Sequence, residues 1–254
     1  MSACDSHIHI NDMAAVEAYR RVQAVQCTSR AVIVTPRVHV TDNSITVGAI
    51  AALGLQKARG VGVVRPDVTD AKLREMDAAG IRGIRFTVFQ PVGQVVTIDM
   101  IEPLSKRIAP LGWHVQLHMR ADQVVEHAAM LERLPSTIVF DHMGRVPVED
   151  GASHPAFGVI RRLVDRGRTW VKLSGPYLEV PEGGPRFEAV TPLARAWIAA
   201  APHRVVWGSD WPHPLAPDPK PRGRELIDRL DDWAPDEPTR TRILVDNPSE
   251  LYFE

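Results

Sequence analysis

The chain has 254 residues, 44% of them hydrophobic and 24% charged, enough apolar mass for one large α/β domain or two small ones and too much for a disordered chain. Thirty basic against 31 acidic residues give a formal charge of −1 at pH 7 with no basic block or stripe, which excludes a nucleic-acid partner. There is no run of about eighteen apolar residues and no leader-like start, and two cysteines, Cys4 and Cys27, cannot build a disulfide framework; the expected setting is the reducing cytoplasm, away from membranes.

In chain order, short segments rich in Val, Ile and Leu occupy 3–9, 31–35, 60–65, 83–87, 114–118, 137–142, 170–174 and 204–210. Several are apolar throughout rather than alternating, as parallel strands covered on both faces are. Between them lie helical stretches. Thr69 or Asp70 caps one that runs to Ala79 and stops at Gly80. Residues 121–134 carry Val124, Val125, Ala128 and Leu131 on one stripe, and 155–165 carries Phe157, Ile160, Leu163 and Val164; 99–111 and 188–200 complete the set. Eight strands alternating with helices predict a single-domain (β/α)8 TIM barrel over 1–254. The rival is a doubly wound open sheet, but no glycine-rich phosphate fingerprint follows the first strand. The proline-rich stretch 212–221 follows the last strand and is expected to shape a loop over the site.

Barrel enzymes gather their chemistry at the C-terminal ends of the strands. His7 and His9 end the first segment, and residues two apart on a strand share a face, so both imidazoles can reach one point. His118, His142 and Asp210 end three others. Each alone reads as a hydrogen-bonded loop residue or a turn; five at equivalent positions read as a site. Imidazoles with a carboxylate suit zinc with an open water position, and His142 or Asp210 could take the proton of that water. His114 begins its strand and reads as structural.

The motifs "SHIH", "GIRGIRF", "GWHVQLHMR", "FDHMGR", "WVKLSG", "VVWGSDWPHP" and "ILVDNPSELY" resemble the amidohydrolase superfamily, in the branch with 2-pyrone-4,6-dicarboxylate lactonases and related sugar- and muconolactonases. The resemblance spans nearly the whole chain. It implies a (β/α)8 hydrolase opening a lactone, in aromatic or sugar-acid catabolism. It also implies one divalent metal, zinc in type, on His7, His9, His118 and Asp210, with Asp210 and His142 catalytic. The superfamily's bridging strand-4 lysine has no counterpart, which argues against a two-metal centre. The pyrone dicarboxylate lactonases work without metal and carry tyrosine where His118 stands; His118 restores a ligand type and favours one metal over the metal-free mechanism. Arg85 matches the branch's strand-4 arginine, a carboxylate clamp, with Arg37, Arg145, Trp211 and His213 as further substrate contacts. Two more arginines of the dicarboxylate-specific members fall on Pro91 and near Tyr177, so a monocarboxylate or another ring is equally open. The partner implied is a small molecule, and a homo-oligomer stays open. Rival functions are a metal-dependent decarboxylase of the same superfamily, a lactone isomerase, and a barrel scaffold without turnover.

Overall fold

The computed structural model describes residues 2–90, 93–180 and 187–254; Pro91 lies outside them. Its strands are β1 (Cys4–Ile8), β2 (Arg30–Val34), β3 (Ala58–Gly62), β4 (Ile81–Thr87), β5 (His114–His118), β6 (Thr137–Phe140), β7 (Thr169–Leu173) and β8 (Val205–Trp207). Each pairs in parallel with the next, giving the order β1 to β8 of the expected (β/α)8 barrel. Closure comes just past β8. His9 N–H donates to the Trp211 carbonyl at 2.7 Å and Asp210 N–H to the His7 carbonyl at 2.8 Å. Deeper in the seam the buried Asp5 carboxylate takes the Ser209 N–H at 2.8 Å and its hydroxyl at 2.6 Å, replacing missing ladder bonds.

The surrounding helices are α1 (Ala15–Gln26), α2 (Ser44–Leu53), α3 (Asp70–Ala78), α4 (Ile101–Ile108), α5 (Ala121–Glu126), α6 (Ala128–Arg133), α7 (Pro155–Asp165), α8 (Thr191–Ala200), α9 (Arg229–Trp233) and α10 (Glu237–Thr241). Thr69 caps α3 as read from the sequence, its Oγ1 accepting from Lys72 N–H at 3.1 Å. The apolar stripe of α4 packs on β5 and that of α7 on β7, in one core with outward strand residues such as Ile84, Phe86 and Val115, each such side chain contributing roughly 1.5–3 kcal/mol on full burial. Among the described residues no helix is long and apolar enough to cross a membrane.

Several segments depart from the sequence reading, among them β8, which ends at Trp207 and not at 210. β3 begins and ends earlier than 60–65, because the Asn43 side chain captures the backbone of Val63, accepting its N–H at 2.8 Å and donating to its carbonyl at 2.9 Å. β6 stops at Phe140, since His142 turns into a left-handed conformation, φ 49°. The stretch 121–134 is two helices, broken at His127 with ψ 16°.

The N-terminal end of the barrel is plugged by the last turn of the chain. Tyr252 packs with Cys4, Val32 and Val61, while the guanidiniums of Arg30 and Arg59 stack on Phe253 at 4.8 and 4.9 Å. Inside the barrel His114 lies across Gly83, where an added Cβ would meet its ring at 2.5 Å.

Candidate active site

Everything distinctive about the C-terminal mouth starts with β1 and the turns after β6 and β8. Ile8 points into the helix-side core and sends its neighbours His7 and His9 to the barrel axis. Gly208 lets β8 lie against them, since a Cβ there would fall 2.6 Å from His7 Cβ and 2.8 Å from His7 N. Asp210 (φ 57°) and His142 (φ 49°) both adopt the left-handed backbone that non-glycine residues avoid, a strain that the surrounding bonds must hold. Trp197 Nε1–H helps, donating to the carbonyl of Met143 at 3.1 Å.

His7 Nε2, His9 Nε2 and Asp210 Oδ1 form a near-equilateral triangle with sides of 3.3, 3.3 and 3.5 Å. The other ring nitrogens are pinned. His9 Nδ1 lies 2.8 Å from the Val34 carbonyl, which only accepts, so Nε2 carries the lone pair. His7 Nδ1 faces Asp141 Oδ1 at 3.2 Å, and His142 Nδ1 faces Ser174 Oγ at 2.9 Å. Burial keeps His7 well below the usual imidazole range and brings His142 down to about 4, so both are neutral. Burial pushes the Asp210 carboxyl the other way, yet it stays well below the ordinary carboxylate range. Tyr177 Oη–H donates to Asp210 Oδ2, leaving Oδ1 without a hydrogen bond.

Three lone-pair atoms thus face one another with no donor between them. A tetrahedral ion with bonds of about 2.0–2.1 Å sets its ligand atoms roughly 3.3–3.4 Å apart, so the triangle fits a divalent cation. A ring nitrogen of His142 also lies within 4.8 Å of His7 and Asp210 donor atoms. Imidazoles anchored by carbonyl, carboxylate and hydroxyl are the usual support of metal-binding histidines. His118 stands apart from this group. Its Nε2 is 3.1 Å from Arg145 Nη1 and its Nδ1 3.4 Å from Arg85 Nη2, and a lone pair engaged by guanidinium is not offered to a cation. The geometry therefore exchanges the two histidines of the sequence reading: His142 joins the metal-competent group and His118 the cationic wall.

Two groups that sequence reasoning passed over sit beneath the triangle. Asp141, fully buried, receives Arg85 Nε–H at 2.8 Å and Gln116 Nε2–H at 3.2 Å and faces His7. Burial works against its charge; Arg85 first, then His7, hold it well below the ordinary carboxylate range. Lys172, equally buried on β7, donates to the Ser6 carbonyl at 2.8 Å and Gln116 Oε1 at 2.7 Å, and lies 3.4 Å from His7 Nδ1. Burial lowers it to about 8. It is a buried cation at the foot of the site, on β7 and not on β4 where the superfamily's bridging lysine was sought.

Above the triangle opens a cavity of about 360 Å³ with His9, His142 and Asp210 at its floor and Arg37, Arg85 and Arg145 on its walls. Arg85 is committed on one edge to Asp141 and His118. Arg145 is held by Glu179 and lies over the Phe89 ring at 4.0 Å. Arg37, anchored on the Gly93 carbonyl at 2.8 Å, is the exposed member. Trp211 and His213, expected as substrate contacts, line a different cavity: the left-handed turns at Asp210 and His213 send Asp210 inward, while Trp211 packs on Tyr19 at 5.4 Å. The proline-rich stretch runs between the two, with Pro212, Pro214 and Leu215 on the catalytic side.

The family model described as Amidohydrolase matches residues 7–253. The chain belongs to the amidohydrolase family. Among curated relatives, a 4-sulfomuconolactone hydrolase of Hydrogenophaga intermedia is 35% identical over 242 residues, 93% of this chain and 78% of that protein. A 2-pyrone-4,6-dicarboxylate hydrolase of Comamonas testosteroni is 34% identical over 234 residues, 89% of this chain and 76% of that protein. A crystal structure from Agrobacterium tumefaciens has a TM-score of 0.87 at 27% identity, covering 100% of this chain and 96% of that one.

Proposed function

We infer that this amidohydrolase opens a lactone ring that bears an acidic substituent, and that it does so with one divalent cation, zinc in type, held by His7, His9 and Asp210 with His142 beside them. The observation that carries the reading is the donor-free triangle at the floor of a cavity walled by three arginines. The two lactone hydrolases among its relatives are named for rings that carry carboxylates or a sulfonate, anions that guanidinium forks recognise.

Bound at the triangle, the cation supplies a Lewis acid that acidifies a water and polarises the lactone carbonyl. Asp210 Oδ1 takes the proton of the attacking water while the Tyr177 hydroxyl steadies Oδ2. Water oxygen bonds to the acyl carbon, the ring C–O bond breaks, and the proton on Asp210 passes to the leaving oxygen. Neutral His142 offers a lone pair that orients the water. Arg85, Arg145 and Arg37 hold the substrate's acid group, with His118 between the first two. The free thiols of Cys4 and Cys27 suit a cytoplasmic setting, and the chemistry suits breakdown of aromatic or sugar acids.

The deciding experiment runs turnover of a panel of carboxylated and sulfonated lactones in ¹⁸O-water, on protein of measured metal content and after chelation. Expected are one ¹⁸O in the new carboxylate per ring opened, close to one metal per chain, and activity lost on chelation and restored by zinc. An isomeric lactone without ¹⁸O, or release of carbon dioxide with the ring intact, overturns the hydrolase reading. Activity that survives complete metal removal overturns the cation and leaves Asp210 as sole activator of the water.

A further inference from the structure

A second cavity, of about 400 Å³, lies on the far side of the Trp211–His213 turn, between α1 and the segment 220–226. It shares only Pro212 with the catalytic cavity among their described lining residues. Its volume falls in the range of small-molecule sites. Among the described lining residues three are cations, Arg21, Lys220 and Arg222, and none is a carboxylate. None of the three has an ion pair among the described residues, whereas neighbouring Arg20 and Arg224 are matched with Glu17 and Asp228. Between the cations the walls are apolar: the Trp211 indole, Val22 and Leu226. Two further lining residues, Gln26 and His213, are more than nine-tenths buried and close the floor behind the indole.

A cluster of unpaired cations around an apolar floor is electrostatically incomplete. We propose that this cavity is a second ligand site, for a flat cyclic or aromatic carboxylate. The carboxylate meets Arg21, Lys220 and Arg222, and the ring lies on Trp211 and Leu226. The site is separate from the chemistry but adjoins it, because His213 N–H donates to the Asp210 carbonyl at 2.7 Å.

The probe is 4-hydroxybenzoate, titrated calorimetrically into wild-type protein and into an Arg21→Gln/Arg222→Gln variant. Both replaced side chains are exposed, outside the catalytic cavity and free of ion pairs, so the variant keeps its fold and its turnover of lactones. Expected is a binding event in the wild type that weakens at least tenfold in the variant, with the same probe quenching tryptophan emission less in Trp211→Phe than in wild type. Any binding at the catalytic arginines persists in the variant and so reads out separately. Unchanged binding in the variant, or a wild type whose only event is displaced by lactone substrate, overturns the proposal; neither result depends on which lactone the enzyme opens.

Discussion

At the scale of single residues, the site divides into groups that make the chemistry and groups that hold them. Asp210 belongs to the first. Its Oδ1 is the only carboxylate oxygen in the triangle, so Asp210→Asn removes the proton acceptor without changing volume. Turnover should fall by about 10²–10⁴-fold with the circular dichroism of the fold preserved; a near-normal kcat would remove Asp210 from the mechanism. Arg85 belongs to both groups. Replacing it with Met leaves Asp141 buried beside one fewer cation, at a cost of about 3–5 kcal/mol, so stability and KM should suffer together. Arg37 is exposed, and its Nη2 donates to a loop carbonyl. Arg37→Met should therefore raise KM for acidic lactones about ten- to a hundredfold, leave uncharged lactones alone, and leave the urea midpoint unmoved. Equal effects on charged and neutral substrates would show that Arg37 shapes the mouth instead of reading the acid. The legibility of these residues follows their geometry. His7, His9 and Asp210 were visible because a histidine pair at period two and a carboxylate at a strand end are local patterns. Asp141 and Lys172 were not. One hides beside a more conspicuous histidine, and the other reads as an interruption in an apolar run, its burial depending on Gln116 and Ser6 from distant strands.

At the scale of elements, the eight strands were legible to within a few residues, because uniformly apolar segments bounded by turn residues have few other destinations. Their ends were not, since side chains from elsewhere decide them: Asn43 takes the backbone after β3, and Asp5 takes it after β8. The exchange of His118 and His142 has the same origin, for no sequence pattern foretells the left-handed turn after β6. The interior packing between β4 and β5 is testable as a unit. Gly83→Ala would drive a Cβ to 2.5 Å from the His114 ring, an overpacking of about 1–3 kcal/mol. His114→Ala alone should also destabilise, by opening a void, but the two together should cost less than the sum of the single changes. Strict additivity of the denaturation free energies would mean that the two positions do not meet.

At the scale of the whole molecule, the site is a store of unprotonated groups that folding keeps from water. Burial holds His7 and His118 well below the ordinary imidazole range, His142 at about 4 and His114 at about 3. The unfolded chain binds protons on these rings near pH 6.5 and the folded chain does not, so stability is lost as pH falls from about 6.5 toward 4. Asp5 acts in the opposite sense. Burial raises it to about 6, so its contribution is complete below about pH 4 and disappears as pH rises through 6. Asp141 and Asp210, both held low, add to the acid loss only below about pH 4, where free carboxylates take protons. The lowered imidazoles, His213 among them, outnumber the raised carboxylates Asp5 and Glu179, and each unbalanced proton is worth on the order of 1.4 kcal/mol per pH unit. Urea midpoints measured in chelator should therefore fall steeply between pH 6.5 and 4.5. Asp5→Asn, which removes a fully buried opposing group, should make that fall steeper. A midpoint that stays level or rises in acid would mean that the four rings are not held neutral, and with them would go the lone-pair triangle on which the cation reading stands.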